Sequence, residues 1–346
     1  MRVETLFTAV SLSCQTVADP DVLVGTPQKS GISVRLQAVS PAANGVVWVS
    51  GLEGTYGRSL DSGDSWQRGI VPGAEKLELR DVHAVDQNTA YLLSSGTGDQ
   101  SRIYKTTDGG TSWKLQLVNA DPQGFFDCFD FWDAEHGLVY GDSVDGELVV
   151  LETSDGENWR RLSEESLPDA RPGEGGFAAS GTCLVTVGKS TAYVGTGAGS
   201  SRVLRTRDRG RSWEAFETSI VNGTGTAGIT SLSFWDQESG IAAGGDIAAP
   251  DARQENVALL TDGGRGARLA PSPTFTGAIY GVAQVPGTSP PIVVAVGPKG
   301  ASFSLDSART WVSLSEDSYW SVGFGSSGVG WMVGPEGRIT RLELRR

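Results

Sequence analysis

The sequence predicts an all-β fold, a seven-bladed β-propeller built of four-stranded antiparallel blades. Three observations lead to this prediction. A short pattern with Asp, Gly and Trp recurs every 44 to 54 residues, the segments between its copies are brief and rich in β-branched and aromatic residues, and no long segment has the hydrophobic period of a helix. Repeats of this length are typical of stacked supersecondary units, and the usual unit in an all-β chain is a propeller blade.

The repeated pattern reads Ser/Thr-x-Asp-x-Gly-x-Thr/Ser-Trp. It occurs as "SLDSGDSW" at 59–66, "TTDGGTSW" at 106–113, "TSDGENW" at 153–159, "TRDRGRSW" at 206–213 and "SLDSARTW" at 304–311. A sixth copy, "LTDGGRGA" at 260–267, keeps the Asp and has Ala in the Trp position. The box residues are Asp61, Trp66, Asp108, Trp113, Asp155, Trp159, Asp208, Trp213, Asp262, Asp306 and Trp311. We expect distorted turns in the third copy, which is one residue shorter, and in the last, where Ala308 replaces Gly.

The chemistry of the pattern is that of a hairpin turn. A carboxylate accepts hydrogen bonds from turn N–H groups, a Gly permits positive φ, and a Trp anchors the turn on the blade. A catalytic device would not be copied around a ring, so we interpret the box as structural. It is expected between the third and fourth strands of each blade, which places all the boxed turns on one rim.

The segments between the boxes supply seven first strands. They are predicted to begin near Leu36, Arg80, Asp127, Gly181, Thr230, Tyr280 and Trp320. The last unit, "VGPEGRITRLEL", stops before a fourth strand, and "PDVLVGT" at 20–26 lies at the right distance to provide it. The prediction is therefore a ring closed by an N-terminal strand that completes the last blade, which leaves only short, protected edges.

The composition excludes several classes of partner. There are 28 Lys and Arg against 41 Asp and Glu, a formal net charge of −13, whereas nucleic acids and anionic membranes select a basic surface. No apolar run approaches the roughly 18 residues that a helical membrane span requires. We therefore expect no nucleic-acid partner and no membrane span. We also expect the protein to be a monomer.

The cysteines and histidines predict no metal site and no cofactor. Cys14, Cys128 and Cys183 have no zinc-like spacing, and the chain has only two histidines. Cys128 and Cys183 occupy equivalent positions in the first strands of adjacent blades. Since neighbouring inner strands usually lie too far apart for a disulfide, we expect two buried free thiols.

The domain prediction is a single propeller over residues 19–346, preceded by residues 1–18. This N-terminal segment has an early Arg, a modest apolar stretch and a small residue at Ala18, the outline of a secretory leader, although Glu4 is atypical of one. Two interpretations stay open, a leader and an N-terminal extension or strand. The first predicts a periplasmic or secreted bacterial protein, and the second a cytoplasmic one.

The box pattern resembles the Asp-box, or BNR repeat, of sialidase-like, sortilin-like and xyloglucanase-type propellers. Single boxes in seven blades, with phrases such as "FFDCFDFWDAEHGLVYGDSVDG" at 125–146, resemble more closely the photosystem II stability/assembly-factor propellers of bacteria and plastids. The resemblance covers nearly the whole chain. It implies the propeller fold and a non-enzymatic role in binding or assembly with a protein or peptide, without a cofactor.

Ligand sites in propellers usually lie on the rim opposite the boxed turns, over the central channel. That rim is made of the loops between second and third strands and the segments that lead into the first strands. Its side chains are mixed in charge. The candidate ligand-binding residues are Arg80, Asp127, Asp142, Asp145, Arg202, Lys299 and Tyr319.

Enzymatic alternatives stay open because Asp-boxes occur in enzymes, receptors and assembly factors alike. A sialidase-like site needs three arginines around a carboxylate, and Arg80, Arg102 and Arg202 show no recognisable arrangement of that kind. A xyloglucanase-like or carbohydrate-binding site needs opposed carboxylates, which the three aspartates of the candidate set could supply, although loop carboxylates beside Gly are more often turn formers. Some related propellers carry an oxidoreductase label, but no nicotinamide, flavin or metal motif is present here.

Overall fold

A computed structural model describes residues 22–345, which form a ring of seven antiparallel sheets. The predicted leader or extension at 1–18, together with Cys14, lies outside these residues. No helix among residues 22–345 is long and apolar enough to cross a membrane.

The strands follow the chain blade by blade. An outer strand, β1 (Val22–Gln28), comes first. Blade 1 contains β2 (Leu36–Pro41), β3 (Val47–Gly51), β4 (Thr55–Ser59) and β5 (Gln67–Ile70). Blade 2 contains β6 (Leu79–Ala84), β7 (Ala90–Ser94), β8 (Arg102–Thr106) and β9 (Lys114–Val118). Blade 3 contains β10 (Phe126–Phe131), β11 (Gly137–Val144), β12 (Glu147–Thr153) and β13 (Arg160–Arg161).

The second half of the ring repeats this order with two short additional strands. Blade 4 contains β15 (Leu184–Val187), β16 (Thr191–Gly195), β18 (Arg202–Thr206) and β19 (Glu214–Glu217), whereas the short strands β14 (Glu174–Gly175) and β17 (Gly197–Ala198) pair with each other and, through β17, with the first strand of the next blade. Blade 5 contains β20 (Ala227–Phe234), β21 (Gly240–Asp246), β22 (Val257–Thr261) and β23 (Gly266–Leu269). Blade 6 contains β24 (Gly281–Val285), β25 (Ile292–Gly297), β26 (Gly300–Ser304) and β27 (Val312–Ser315). Blade 7 contains β28 (Ser321–Phe324), β29 (Gly330–Val333) and β30 (Ile339–Arg345). Single 3₁₀ turns lie at Ala43–Gly45, Gly98–Gln100, Glu164–Ser166 and Pro335–Gly337.

The predicted seven-bladed architecture is confirmed. Each first strand begins within three residues of its expected start, and the boxed turns lie between the third and fourth strands. The ring closes as expected, because β1 pairs antiparallel with β30 from Val22↔Arg345 to Gln28↔Ile339 and thereby completes blade 7. The closing strand runs two residues further than the predicted segment at 20–26.

The hydrophobic core lies between the blades. Seven clusters of buried apolar side chains are present, and each joins two neighbouring sheets. Between blades 1 and 2, for example, Trp48 and Tyr56 pack with Leu79, Leu92 and Tyr104. The two faces of a propeller blade are both covered by its neighbours, which explains why the inner strands are apolar without strict alternation.

The boxed turns have the hydrogen bonds expected of a structural device. In the first box Asp61 Oδ1 accepts a bond from Ser65 N at 2.8 Å, and Ser59 Oγ donates to the same atom at 2.8 Å. Gly63 has a φ of +87°, and Trp66 Nε1 donates to its carbonyl at 3.0 Å. The carboxylate thus accepts a hydrogen bond from a turn N–H group in place of a backbone carbonyl.

Both turns expected to be distorted differ in their hydrogen bonds, the third box more than the last, in which Asp306 Oδ1 accepts one additional bond from Arg309 N at 3.0 Å. In the shorter third box Asp155 Oδ1 accepts bonds from Glu157 N and Asn158 N, two and three residues on, instead of four. In the last box Ala308 adopts a φ of +62°, and Asp306 keeps its bond from Thr310 N at 2.8 Å. The buried Ala308 therefore takes the left-handed conformation usual for Gly, at some cost in strain.

The prediction of free thiols is wrong for Cys128 and Cys183, which form a disulfide with a Cα–Cα distance of 6.0 Å. The large distance expected between neighbouring inner strands applies only to residues that both lie within paired strands. Cys183 instead precedes β15, in the segment that leads into blade 4, while Cys128 follows an irregularity in the pairing of β10. The two Cα atoms therefore come within the range that a disulfide needs.

Candidate functional site

The two rims of the ring differ in their connections. The box rim comprises the turns at 60–66, 107–113, 154–159, 207–213, 262–265 and 305–311, with the turns that join first to second strands. The opposite loop rim comprises the turns at 52–54, 95–101, 145–146, 196–201, 247–256, 298–299 and 334–338, with the segments that lead into each first strand. Antiparallel order within each blade requires this separation.

One lead-in segment crosses the channel at the loop rim. We call residues 176–182, which precede blade 4, the channel segment. Its Ala178 carbonyl accepts a bond from Arg80 of blade 2 at 3.4 Å, and its Ser180 carbonyl accepts one from Ser321 of blade 7 at 3.1 Å. The hydroxyl of Thr182 lies 2.6 Å from that of Ser231 in blade 5. Contacts with three blades around the ring mean that this segment covers the channel mouth.

A cavity of about 370 Å³, the rim cavity, lies beside the channel segment. Its walls include Arg80, Phe125, Asp127, Asp142, Glu174 and Phe177. These side chains come from blades 2 and 3 and from β14 with the channel segment that follows it, so three different parts of the chain build one site. The cavity lies on the loop rim, where the sequence places the candidate site.

Two carboxyl groups form the floor of the rim cavity. Asp127, at the start of β10, is almost completely buried, and its Oδ2 has no hydrogen-bond partner within residues 22–345. Asp142, near the end of β11, accepts a hydrogen bond from Gly176 N at 3.0 Å. A Cβ atom on Gly175 would lie 2.0 Å from Asp142 Oδ1, and one on Gly176 would lie 2.6 Å from Asp127 Cγ. Glycine is thus required where the backbone passes between the two carboxyl groups.

The environment of these groups disfavours their charged forms. Burial raises the pKa of Asp127 well above its usual range, and the neighbouring Asp142 carboxylate raises it further. The Arg80 guanidinium and the N–H groups of Ala178 and Gly176 oppose this rise in the pKa of Asp127. Burial also raises the pKa of Asp142, against the hydrogen bond from Gly176 N. A buried carboxyl pair of this kind is often found at functional sites.

A buried ion pair holds one wall in place. Arg202 donates from Nε to Glu174 Oε1 at 2.8 Å and from Nη2 to Glu174 Oε2 at 2.5 Å, and both side chains are buried. Arg171 N donates to the same carboxylate, and Ser143 Oγ donates to the Glu174 carbonyl. Arg202 therefore acts as a support for the segment that carries Gly175 and Phe177, since its guanidinium is already bonded to Glu174 and to the Asp169 carbonyl.

The structure brings together three of the seven predicted site residues, Arg80, Asp127 and Asp142, as walls of one cavity. Arg202 lies behind it. Asp145 is exposed in the two-residue turn after β11, Lys299 is exposed in the turn before β26, and Tyr319 is buried with its hydroxyl 2.9 Å from Thr340 Oγ1.

The rim cavity also has three large side chains that the sequence does not predict: Phe125, Glu174 and Phe177. All three lie in lead-in segments, where no period or motif distinguishes a wall residue from an ordinary loop residue. The only available signal was the glycine cluster in "GEGGF" at 173–177, since adjacent glycines indicate a close approach of the backbone.

A second cavity, of about 400 Å³, lies on the box rim between blades 3 and 4 and is lined by Arg160, Arg209 and Arg211 among others. Arg160 pairs with Glu152, and Arg209 pairs with Asp133 at 3.2 Å. These pairs are at least partly exposed and contribute little to stability.

Comparison with curated proteins gives two partial matches, and no family model matches the chain. The chain is 30% identical over 140 residues to the photosystem II assembly lipoprotein Ycf48 of Synechococcus sp. (strain CC9902), covering 40% of this chain and 36% of that protein. It is 31% identical over 105 residues to the vacuolar protein sorting/targeting protein 10 of Colletotrichum graminicola, covering 28% of this chain and 7% of that protein. The matched regions thus span about a third of the first relative and a small part of the second.

Solved structures extend the likeness to nearly the whole ring. A structure of YCF48 bound to a D1 peptide matches with a TM-score of 0.65 and 14% identity, over 94% of this chain and 97% of that one. YCF48 from Cyanidioschyzon merolae matches with a TM-score of 0.62 and 15% identity, over 92% of this chain and 99% of that one. The fold of this chain is therefore a seven-bladed propeller similar to that of YCF48. The WD40 propeller of Doa1, at 12% identity and a TM-score of 0.60 over 93% of this chain and 96% of that one, shows the shared fold alone.

Proposed function

We propose that this protein binds an extended segment of a partner protein at its loop rim and does so without catalysis. The observation that carries the proposal is the rim cavity, in which buried carboxyl groups and two half-buried phenylalanines meet at the channel mouth. Buried polar groups among apolar walls are typical of ligand sites. The structure of YCF48 with a D1 peptide supports a peptide as the ligand class.

The compartment belongs to the same proposal. We place the protein in the periplasm or outside the cell, because the disulfide between Cys128 and Cys183 fits an oxidising environment and is unusual in the cytosol.

The proposal is tested with a random-peptide display library and with the D1 peptide as a fluorescent probe. Phe177→Ala removes a cavity wall, and we expect the affinity for selected peptides to fall at least tenfold, as for other buried aromatic anchors. Leu60→Ala is the matched control, since Leu60 is an exposed apolar residue of the box rim. Equal effects of the two substitutions on peptide affinity, or no selected peptide at all, would contradict a binding site at the loop rim.

Glycoside hydrolysis is the second candidate, because a carboxyl group with a raised pKa beside another carboxyl group is the arrangement of a general acid and its partner. The channel segment counts against it, since its Gly176 packs against both Asp127 and Asp142 and narrows the space in which a sugar ring would have to bind. Release of label from xyloglucan or sialosides by the purified protein, abolished by Asp142→Asn, would favour hydrolysis over simple binding.

A sialidase-like site has less support. Of the three arginines considered for it, Arg80 pairs with Glu78 at 2.6 Å, Arg202 with Glu174 at 2.5 Å, and Arg102 with Asp99 at 3.8 Å. Each guanidinium therefore already has a carboxylate partner from this chain.

A further inference from the structure

The rim cavity has more buried acid than its own bases neutralise. We infer that it takes one cationic side chain, a lysine or an arginine, with Asp127 as the buried counter-ion. The inference rests on the proposed function only for the source of the cation, a peptide. The cavity's preference for a cation follows from its own residues.

The first argument is the unpaired oxygen of Asp127. This residue is 1% exposed, and its Oδ2 is buried without a hydrogen-bond partner within residues 22–345. A buried polar atom without a partner is costly, and natural proteins rarely leave such an atom without a role. Because Asp127 is itself a wall of the cavity, a cation that enters the cavity comes close to this carboxyl group.

The second argument is the charge around the cavity. Glu78 is neutralised by Arg80 through contacts of 2.6 and 2.8 Å, and Glu174 is neutralised by Arg202. The two guanidinium groups are thus occupied, and neither Asp127 nor Asp142 forms an ion pair within residues 22–345, although Arg80 lies near enough to lower the pKa of Asp127. One incoming cation would offset much of the repulsion between these two carboxyl groups.

The third argument is the nature of the remaining walls. Phe125 and Phe177 are half-buried and line the cavity beside the carboxyl groups. Lysine and arginine have an aliphatic stem that packs on apolar surface and a charged end that is attracted by carboxylates and by aromatic faces. A cavity of about 370 Å³ is small for an oligosaccharide and suits a single side chain.

The inference predicts that cation affinity increases with pH. Burial and Asp142 raise the pKa of Asp127, so in the empty cavity a proton competes with the ligand for this group. The other groups that face it are Arg80 from β6, which lowers its pKa, and the neutral Tyr140 from β11, whose own pKa is raised by burial and by the nearby carboxylates. Affinity should rise until the pH exceeds the raised pKa of Asp127 and then level off.

The test uses small probes, so that it does not depend on a peptide. Binding of n-butylguanidinium is followed by NMR chemical shifts of the protein, with the neutral isostere n-butylurea as the comparison ligand. We expect the cation to shift resonances around the rim cavity and the urea to leave them unchanged. Asp127→Asn should weaken cation binding at least tenfold, while Asp251→Asn, which removes an exposed carboxylate of the loop rim outside the cavity, should not change it.

Three results would overturn the inference: equal binding of the urea, undiminished cation binding by a folded Asp127→Asn protein, or displacement of the cation by micromolar Ca²⁺, which would indicate a metal site.

Experiments with peptides distinguish the cation site from the proposed peptide binding. If selected peptides bind and replacement of each Arg by citrulline has no effect, the cation site is wrong and peptide binding stands. If n-butylguanidinium binds at the cavity and no peptide does, the cation site stands and peptide binding is wrong.

Discussion

The aspartates of this chain experience two opposite environments. In the five boxes that contain Trp, hydrogen bonds from turn N–H and hydroxyl groups lower the carboxyl pKa, to about 2 for Asp108. In the interior of the loop rim, burial raises the pKa of Asp127 and also that of Asp81, which accepts bonds from Val82 N and Phe129 N. The carboxylates of these five boxes therefore stabilise the fold when ionised, whereas ionisation of Asp81 or Asp127 opposes folding.

A box aspartate should matter for stability and not for binding. Asp208 Oδ1 accepts bonds from Ser212 N at 2.9 Å and Thr206 Oγ1 at 2.8 Å, so we expect Asp208→Ala to lower the free energy of unfolding by about 0.5–1.5 kcal/mol in urea titrations at pH 7. Because the pKa of Asp208 is lowered in the folded protein, this contribution is present above the unfolded pKa near 3.9 and disappears as the pH falls through the lower folded value.

The matched control for this change is Asp262→Ala in the sixth, degenerate box. The Asp262 carboxylate meets Arg265 Nε at 3.6 Å, on an exposed surface, so its loss should cost less than that of Asp208. Retained stability with lost peptide affinity in the Asp208→Ala protein would contradict the structural interpretation of the boxes.

At the level of strands and turns, most of the fold could be predicted from the sequence because its determinants are local. Asp61, Gly63 and Trp66 each serve a turn that they themselves occupy, so the pattern of residue types indicates the turn directly. The site could be predicted only in part. The position of Asp127 at the start of a strand indicates it as a site residue. Phe177 lines the cavity because the ion pair of Arg202 with Glu174 and the hydrogen bond from Ser321 fix the path of the channel segment, and neither contact is visible in the local sequence.

The disulfide links Cys183, which directly follows the channel segment, to Cys128 in blade 3. It closes a loop with a sequence separation of 55 residues, for which loop-closure entropy gives about 4 kcal/mol. We expect dithiothreitol to lower the free energy of unfolding by about that amount, measured by guanidinium titration of the oxidised and reduced protein. A Cys128→Ala/Cys183→Ala protein should be as unstable as the reduced wild type and insensitive to the reductant. Equal stability of the oxidised and reduced proteins would refute a structural role for this bond.

For the molecule as a whole, closure of the ring depends on β1. Leu23 of this strand is buried in the cluster between blades 6 and 7 with Phe303 and Leu342. We expect Leu23→Ala to reduce the free energy of unfolding by about 2–5 kcal/mol. Leu269→Ala is the control, because Leu269 lies on an outer strand that does not close the ring and is 38% exposed, and its effect should stay within about 0.5 kcal/mol. Similar losses in both proteins, measured by thermal and urea unfolding, would show that β1 has no special role.

The pairing of β1 with β30 also affects how the chain folds during biosynthesis. Trp331 Nε1 donates to Gln28 Oε1 across 303 residues of chain, so the closing strand leaves the ribosome long before its partner exists. At about 5–20 residues per second, the nascent chain waits about 15–60 s for the last blade. A free strand is prone to pair with other chains during that interval. Gly25 and Pro27 lie within this strand, and the missing N–H of Pro27 makes it a poor template for premature pairing until β30 arrives.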